Sequence, residues 1–158
     1  MKSFLFLLLL AGNLFAALPG AYERRFVKFD ANDNGVIDPL EWLQTQGRAT
    51  PVVMSRHRFN WADADKNGVI DRVEFLASRG GKLGGKPNKI ETFNLADADE
   101  DGYLDPEEYS DTIKRTSSWV KVLGSFSRKD RNDDDQLNHY EFGIRNPAFL
   151  DWNWTSRR

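Results

Sequence analysis

Beyond residue 20 the apolar positions fall into one arrangement that is repeated four times. A phenylalanine (Phe26, Phe59, Phe93, Phe126) stands four residues before a polar, acidic stretch, and an aromatic (Trp42, Phe75, Tyr109, Phe142) directly follows it. The eighth residue of each stretch is aliphatic every time: Ile37, Ile70, Leu104 or Leu137. The apolar positions on either side predict an entering and an exiting helix with aromatic inner faces. The exiting helices carry start signals. Asp38, Asp71, Asp105 and Asn138 are good N-caps, because their side-chain oxygens can accept from the free backbone N–H groups of a first turn. Pro39 and Pro106 follow two of them at the first helical position, where a missing N–H costs nothing. An aliphatic at the eighth place suits a short extended segment that pairs with its counterpart in a neighbouring repeat. The repeats should then work in twos, first with second and third with fourth.

Each polar stretch is twelve residues long, and successive stretches start 33 or 34 residues apart. They run from Asp30 to Glu41, Asp63 to Glu74, Asp97 to Glu108 and Asp130 to Glu141, with oxygen side chains at places 1, 3, 5, 9 and 12. Calcium takes about six to eight oxygens at about 2.3–2.6 Å, and a short loop can supply them only at alternate positions with a sharp turn between. The candidate ligands of the first loop are Asp30, Asn32, Asn34, the backbone of Val36, Asp38 and Glu41. Those of the second are Asp63, Asp65, Asn67, the backbone of Val69, Asp71 and Glu74. The third offers Asp97, Asp99, Asp101, the backbone of Tyr103, Asp105 and Glu108. The fourth offers Asp130, Asn132, Asp134, the backbone of Gln136, Asn138 and Glu141. A glutamate at place 12 can give both oxygens, which favours Ca²⁺ over octahedral Mg²⁺. Place 6 calls for positive φ, which Gly35, Gly68 and Gly102 adopt freely. The fourth loop has Asp135 there, with an expected strain on the order of a kcal/mol.

Three full matches and one near match, on one repeat length with matched aromatic flanks, resemble the EF-hand proteins of the calmodulin and troponin C superfamily. The resemblance covers nearly all of the chain after residue 20. It implies an all-α fold of two EF-hand pairs, with short β pairing between partnered loops, that binds up to four Ca²⁺. The chain departs from the family pattern at Asp135 and at the neutral Asn32 and Asn34 of the first loop. The third loop, acidic at every side-chain ligand place, should therefore bind most tightly, and the first and fourth more weakly.

The front of the chain reads differently. Met1-Lys2-Ser3 precedes the apolar run Phe4–Ala11, with small residues at Ala16 and Ala17, the pattern of a secretory signal peptide over residues 1–17. The run is too short and too broken by Gly12 and Asn13 to make a stable membrane span. The expected organisation continues with EF-hand pair 1 over residues 18–80, a linker over 81–88, EF-hand pair 2 over 89–150 and a tail over 151–158. The linker region, rich in glycine and with Pro87, cannot continue a helix and should be flexible. Arg79, Lys82, Lys86 and Lys89 make it basic, a solubilising feature that can also touch a polyanion. The tail holds Trp152 and Trp154 and a sequon at Asn153.

Composition narrows the function. The chain has no cysteine, so a secreted fold needs a staple other than disulfides, and metal can serve. The net charge of −2 hides carboxylates gathered in the loops and bases on helices and linker. Two methionines, of which Met1 leaves with the signal, do not furnish the adaptable groove of a promiscuous calcium sensor. The aromatic content of 13% points instead to rigid cores. His57 and His139 belong to no nucleophile or zinc pattern, so no enzyme is expected. Arg24-Arg25 and Arg128-Lys129 are too short to argue nucleic-acid binding. The reading is a secreted, extracellular calcium-binding protein with a structural, reservoir or matrix role, and an extracellular matrix protein is the kind of partner it implies. It resembles secreted EF-hand proteins of invertebrate mineralised tissue, such as shell-matrix components, which makes biomineralization a setting. The chain ends without an ER-retention tetrapeptide, which favours export over the alternative of a luminal calcium buffer. A second alternative is a calcium-dependent regulator of one partner.

Overall fold

The computed structural model describes residues 20–82 and 84–145. The expected signal peptide, the tail with its Asn153 sequon and Pro147 lie outside the described residues. Among the described residues eight helices follow one another: α1 (Gly20–Phe29), α2 (Pro39–Thr45), α3 (Val52–Ala62), α4 (Arg72–Ala77), α5 (Lys89–Ala96), α6 (Pro106–Asp111), α7 (Trp119–Phe126) and α8 (His139–Phe142). No strand or sheet occurs among the described residues, so the fold is all-α.

The helix starts are chemical. Asp38, Asp71, Asp105 and Asn138 each form a capping box with the glutamate three residues on. Asn88 does the same with Glu91 at the start of α5. The last helix is only four residues long and stops at Gly143, whose φ of 96° is the left-handed C-cap.

Two aromatic cores hold the helices. In the first half Phe26, Ile37, Trp42, Phe59, Ile70 and Phe75 pack together. In the second, Phe93, Leu104, Tyr109, Phe126, Leu137 and Phe142 do so. The ring contacts show how loops are partnered. The phenylalanine before one loop meets the aromatic after its partner: Phe26 with Phe75 at 5.5 Å and Trp42 with Phe59 at 6.2 Å. The second half repeats this with Phe93 and Phe142 at 5.5 Å and Tyr109 and Phe126 at 5.7 Å. All four pairs are edge-to-face, the arrangement that ring quadrupoles favour. Between partnered loops the eighth-place aliphatics form antiparallel bridges, Ile37 with Ile70 and Leu104 with Leu137, and all four are 0% exposed.

Residues 84–88 have no regular structure, but the glycines just before them are packed. A Cβ on Gly81 would lie 2.0 Å from Trp42 Cη2, and its φ is +74°. The chain leaves the first half pressed against that indole. The halves also touch: Val53 of α3 is buried within the second core.

Candidate metal centres

Each acidic stretch is a loop between two helices, and the four loops share one internal hydrogen-bond frame. The first-place aspartate accepts from the backbone N–H of places 5 and 6. Asp30 does so from Asn34 and Gly35, Asp63 from Asn67 and Gly68, Asp97 from Asp101 and Gly102, and Asp130 from Asp134 and Asp135, at 2.9–3.3 Å. The place-5 oxygen accepts from the place-7 N–H, of Val36, Val69, Tyr103 and Gln136, at 2.8–3.1 Å. The glutamate at place 12 closes the ring. Its Oε1 accepts from the place-2 N–H (Ala31, Ala64, Ala98, Arg131) and its Oε2 from the place-9 N–H (Asp38, Asp71, Asp105, Asn138), at 2.7–3.1 Å. The place-9 side chain in turn caps the exiting helix through the glutamate N–H at 2.8–3.0 Å. Every candidate side chain at places 1, 5, 9 and 12 is thus oriented by backbone N–H groups of its own loop.

The backbone follows from this frame. Place 6 takes φ of 87°, 87° and 86° at Gly35, Gly68 and Gly102, and Asp135 follows them at 62°. Asp135 N–H makes the same bond as the glycines, so the substitution alters conformational cost and not loop geometry. Place 4 is also left-handed in all four loops, at Asp33, Lys66, Glu100 and Asp133, with φ of 56–62°. The sequence reading missed this second turn position. Asp33 and Asp133 are residues that favour the left-handed region, but Lys66 and Glu100 give no such signal. Lys66 instead uses its ammonium to bind the carbonyls of Asn60 and Asp63 at the end of α3.

The loops differ at place 3. Asn32, Asp65 and Asp99 accept from the place-5 N–H at 3.0–3.2 Å. In the fourth loop Asn132 Nδ2 donates to Asp134 instead, at 2.8 Å. Carboxylate oxygens of Asp63, Asp65 and Glu74 lie within 4.8 Å of one another, as do those of Asp97, Asp99 and Glu108. These two clusters fit a metal ion: hard oxygen donors converge in a loop-sized space.

Among the described residues no ion pair falls on these carboxylates: the pairs are Arg56–Asp111 and Arg72–Glu23, neither on a ligand place. The Asp97 carboxyl is accordingly held above the usual aspartate range, first by burial and then by repulsion from Glu108, Asp101 and Asp99, against a lowering by the Gly102 N–H. His139, beside the fourth loop, stacks on Phe93 at 4.0 Å. Partial burial there pushes its pKa down, and the half-buried ring packs on the edge of the second core.

A family model described as EF hand matches residues 23–44 and 90–113. These segments contain the first and third loops with their flanking helices. Comparison with curated proteins gives no match. The two matches support a calcium-binding EF-hand protein; EF-hand domains bind Ca²⁺, and the family is typically non-enzymatic. None of the described helices is long and apolar enough to cross a membrane.

Proposed function

We propose that this chain is a secreted calcium-binding protein that holds up to four Ca²⁺, one in each loop, with a structural, reservoir or matrix role. The observation that supports it best is the recurrence of one hydrogen-bond frame in four loops, around oxygens at the same places. The side chains at places 1, 3, 5, 9 and 12 and the backbone at place 7 would hold the ion. Bound calcium supplies positive charge to carboxylates that otherwise repel one another. The chain's own residues do the rest. First-place aspartates draw the loop into its turn, place-12 glutamates tie the loop to the exiting helix, and the bridged aliphatics register each loop against its partner.

Other features support the setting. An apolar leader before residue 18 reads as an export signal, and a cysteine-free chain gains from a metal staple. Extracellular modules of this kind bind at about 10⁻⁴–10⁻³ M, so permanently high calcium would keep such sites filled. The edge-to-face cores suit constitutive binding better than a groove that opens and closes.

Native mass spectrometry across a calcium titration tests the binding, with up to four ions expected and the third loop filling first. Zero bound ions at millimolar calcium would end the proposal. Expression in a secreting cell tests export, with protein expected in the medium carrying a new N-terminus near Leu18. Retention inside the cell, with residues 1–17 still attached, would remove the secreted part. Immunolocalisation then separates matrix from a secretory-pathway lumen.

A further inference from the structure

Helix α3 serves both halves of the molecule. One side belongs to the first half: Phe59 packs against Trp42, whose Nε1 donates to the carbonyl of Ser55 at 3.2 Å. Val53 and Arg56, three residues apart and so on one face, turn the other way. Val53 is 3% exposed, in the core with Phe93, Tyr109 and Val122. Arg56 Nη1 donates to the carbonyl of Leu95 at 2.7 Å, and its Nη2 pairs with Asp111 at 3.2 Å.

The placement of these two acceptors is informative. Leu95 lies near the end of α5, two residues before Asp97, the first ligand place of loop 3. Asp111 is the last residue of α6, three residues after Glu108, the last ligand place of loop 3. One guanidinium therefore spans both helices that flank loop 3, and it is carried by α3, the helix that leads into loop 2 at Asp63. A return strap runs from Arg115, beyond α6, to the carbonyl of Leu43 in α2 at 3.2 Å. A calcium loop is held by its two flanking helices, so small shifts on filling pass to whatever those helices touch. Two sites are coupled when both bias one shared element.

We propose that Arg56 and Val53 make α3 a mechanical link between loops 2 and 3, so that filling either loop changes the calcium affinity of the other. The inference rests on the reading that both loops bind calcium. It gives a role to an arginine outside every ligand place. Arg56 reaches the Leu95 carbonyl and the Asp111 carboxylate through separate Nη atoms of one planar fork, a fixed spacing that a lysine's single ammonium does not reproduce.

The full-length chain allows a site-resolved test. Gly68 N–H donates to Asp63 and Gly102 N–H to Asp97, both at 3.1 Å, so these amide resonances report loops 2 and 3 separately. Calcium is titrated into four proteins: wild type, Glu74→Gln, Arg56→Lys and the double variant. In the Arg56 background, Glu74→Gln should shift the Gly102 midpoint by about five-fold or more, the range of measured couplings. With Arg56→Lys the same change should shift it by less than about two-fold. Val53→Ala should reduce the coupling in the same direction, and calcium-loaded melting curves check that each variant is folded. A Gly102 midpoint that Glu74→Gln leaves in place, or moves equally in both backgrounds, overturns the link while leaving calcium binding intact. A folded wild type in which neither glycine amide responds to calcium overturns the calcium reading, and the link with it.

Discussion

Glu108→Gln separates the carboxylate's two roles, because they have opposite signs. In the structure Glu108 accepts from Ala98 N–H at 2.7 Å and from Asp105 N–H at 3.1 Å. An amide offers one acceptor oxygen where the carboxylate offers two, so one backbone N–H loses its charged partner, a cost of about 1.5–3 kcal/mol. Against this, the charge leaves a crowded cluster. Glu108 oxygens lie within 4.8 Å of those of Asp97 and Asp99, and at that separation each like-charged pair costs about 1 kcal/mol in water and about 3.5 kcal/mol at an effective dielectric of 20. Asp99 is exposed, so the lower figure suits that pair and an intermediate one suits Asp97. Relief and loss are then both about 2–3 kcal/mol, and the variant in chelator should melt within a few degrees of wild type.

With calcium the balance changes. A site at fifty times its dissociation constant contributes about 2.3 kcal/mol to folding. A chain of this size shifts its melting point by about 2–4 °C per kcal/mol. Glu108→Gln should therefore lose about 5–9 °C of the calcium-induced gain while its chelator curve hardly moves. Scanning calorimetry with chelator and with saturating calcium reads both. An equal drop under the two conditions would mean that Glu108 is a loop staple with no metal role. No drop under either would mean that the cluster is inert.

Three further outcomes follow from particular atoms. Gly81→Ala puts a methyl into the Trp42 ring at a φ of +74°, and should cost about 2–4 kcal/mol by urea melting; a loss under about 0.5 kcal/mol would show that this turn yields freely. Asp135→Val forces a β-branched residue to a φ of 62° and should cost about 1–2 kcal/mol, whereas Asp135→Asn should be nearly neutral; equal melting of the two would remove the conformational argument for loop 4. Burial and its acidic neighbours hold Asp97 above the ordinary aspartate range, so the folded chain in chelator binds this proton more tightly than the unfolded one. Its contribution to stability in chelator should thus decline as pH rises from the unfolded to the raised folded pKa, and calcium titrated within that window should release a proton. Calorimetry in buffers of different ionisation enthalpy detects that release, and identical heats after buffer correction would contradict it.

What could be read from the residues was whatever depends on spacing. The loop spans, the caps at Asp38, Asp71, Asp105 and Asn138 and the aromatic flanks all sit at fixed distances along the chain, and each is a local rule of backbone geometry. Pairing of loops was legible too, because Ile37, Ile70, Leu104 and Leu137 have no other use in an acidic segment. The burial of Val53 in the far core, the grip of Arg56 on two helices and the seating of Gly81 on Trp42 were not legible. The first two depend on how two halves meet and the third on how the chain folds back on leaving the first half, and a short apolar residue, a surface arginine and a linker glycine carry no periodic mark of either. Lys66 and Glu100 at left-handed φ escaped for a related reason: the frame around places 1, 5 and 6 imposes the turn whatever stands at place 4.

That frame also bears on what a metal has left to do. A flexible loop that must be gathered around an ion gives up conformational entropy on binding, and its affinity falls accordingly. Here the gathering force is internal. Backbone N–H groups hold first-place carboxylates, place-5 oxygens and both oxygens of each place-12 glutamate, and the bridged aliphatics fix each loop's outer edge. These bonds orient the acceptors but leave their charges side by side, and among the described residues neither ion pair falls on a candidate ligand place. Geometry is thus provided by the chain, and the unmet requirement is charge. On the proposed reading, affinity among the four loops should follow carboxylate number more than loop shape. Loop 3 should then lead, and loop 1, with the same frame but Asn32 and Asn34 in place of two acids, is the sharpest comparison. Asn32→Asp with Asn34→Asp should raise its affinity toward that of loop 3 in a calcium titration followed at the Gly35 amide. An unchanged midpoint would mean that something other than charge, such as the conformational cost at place 4, sets the order of filling.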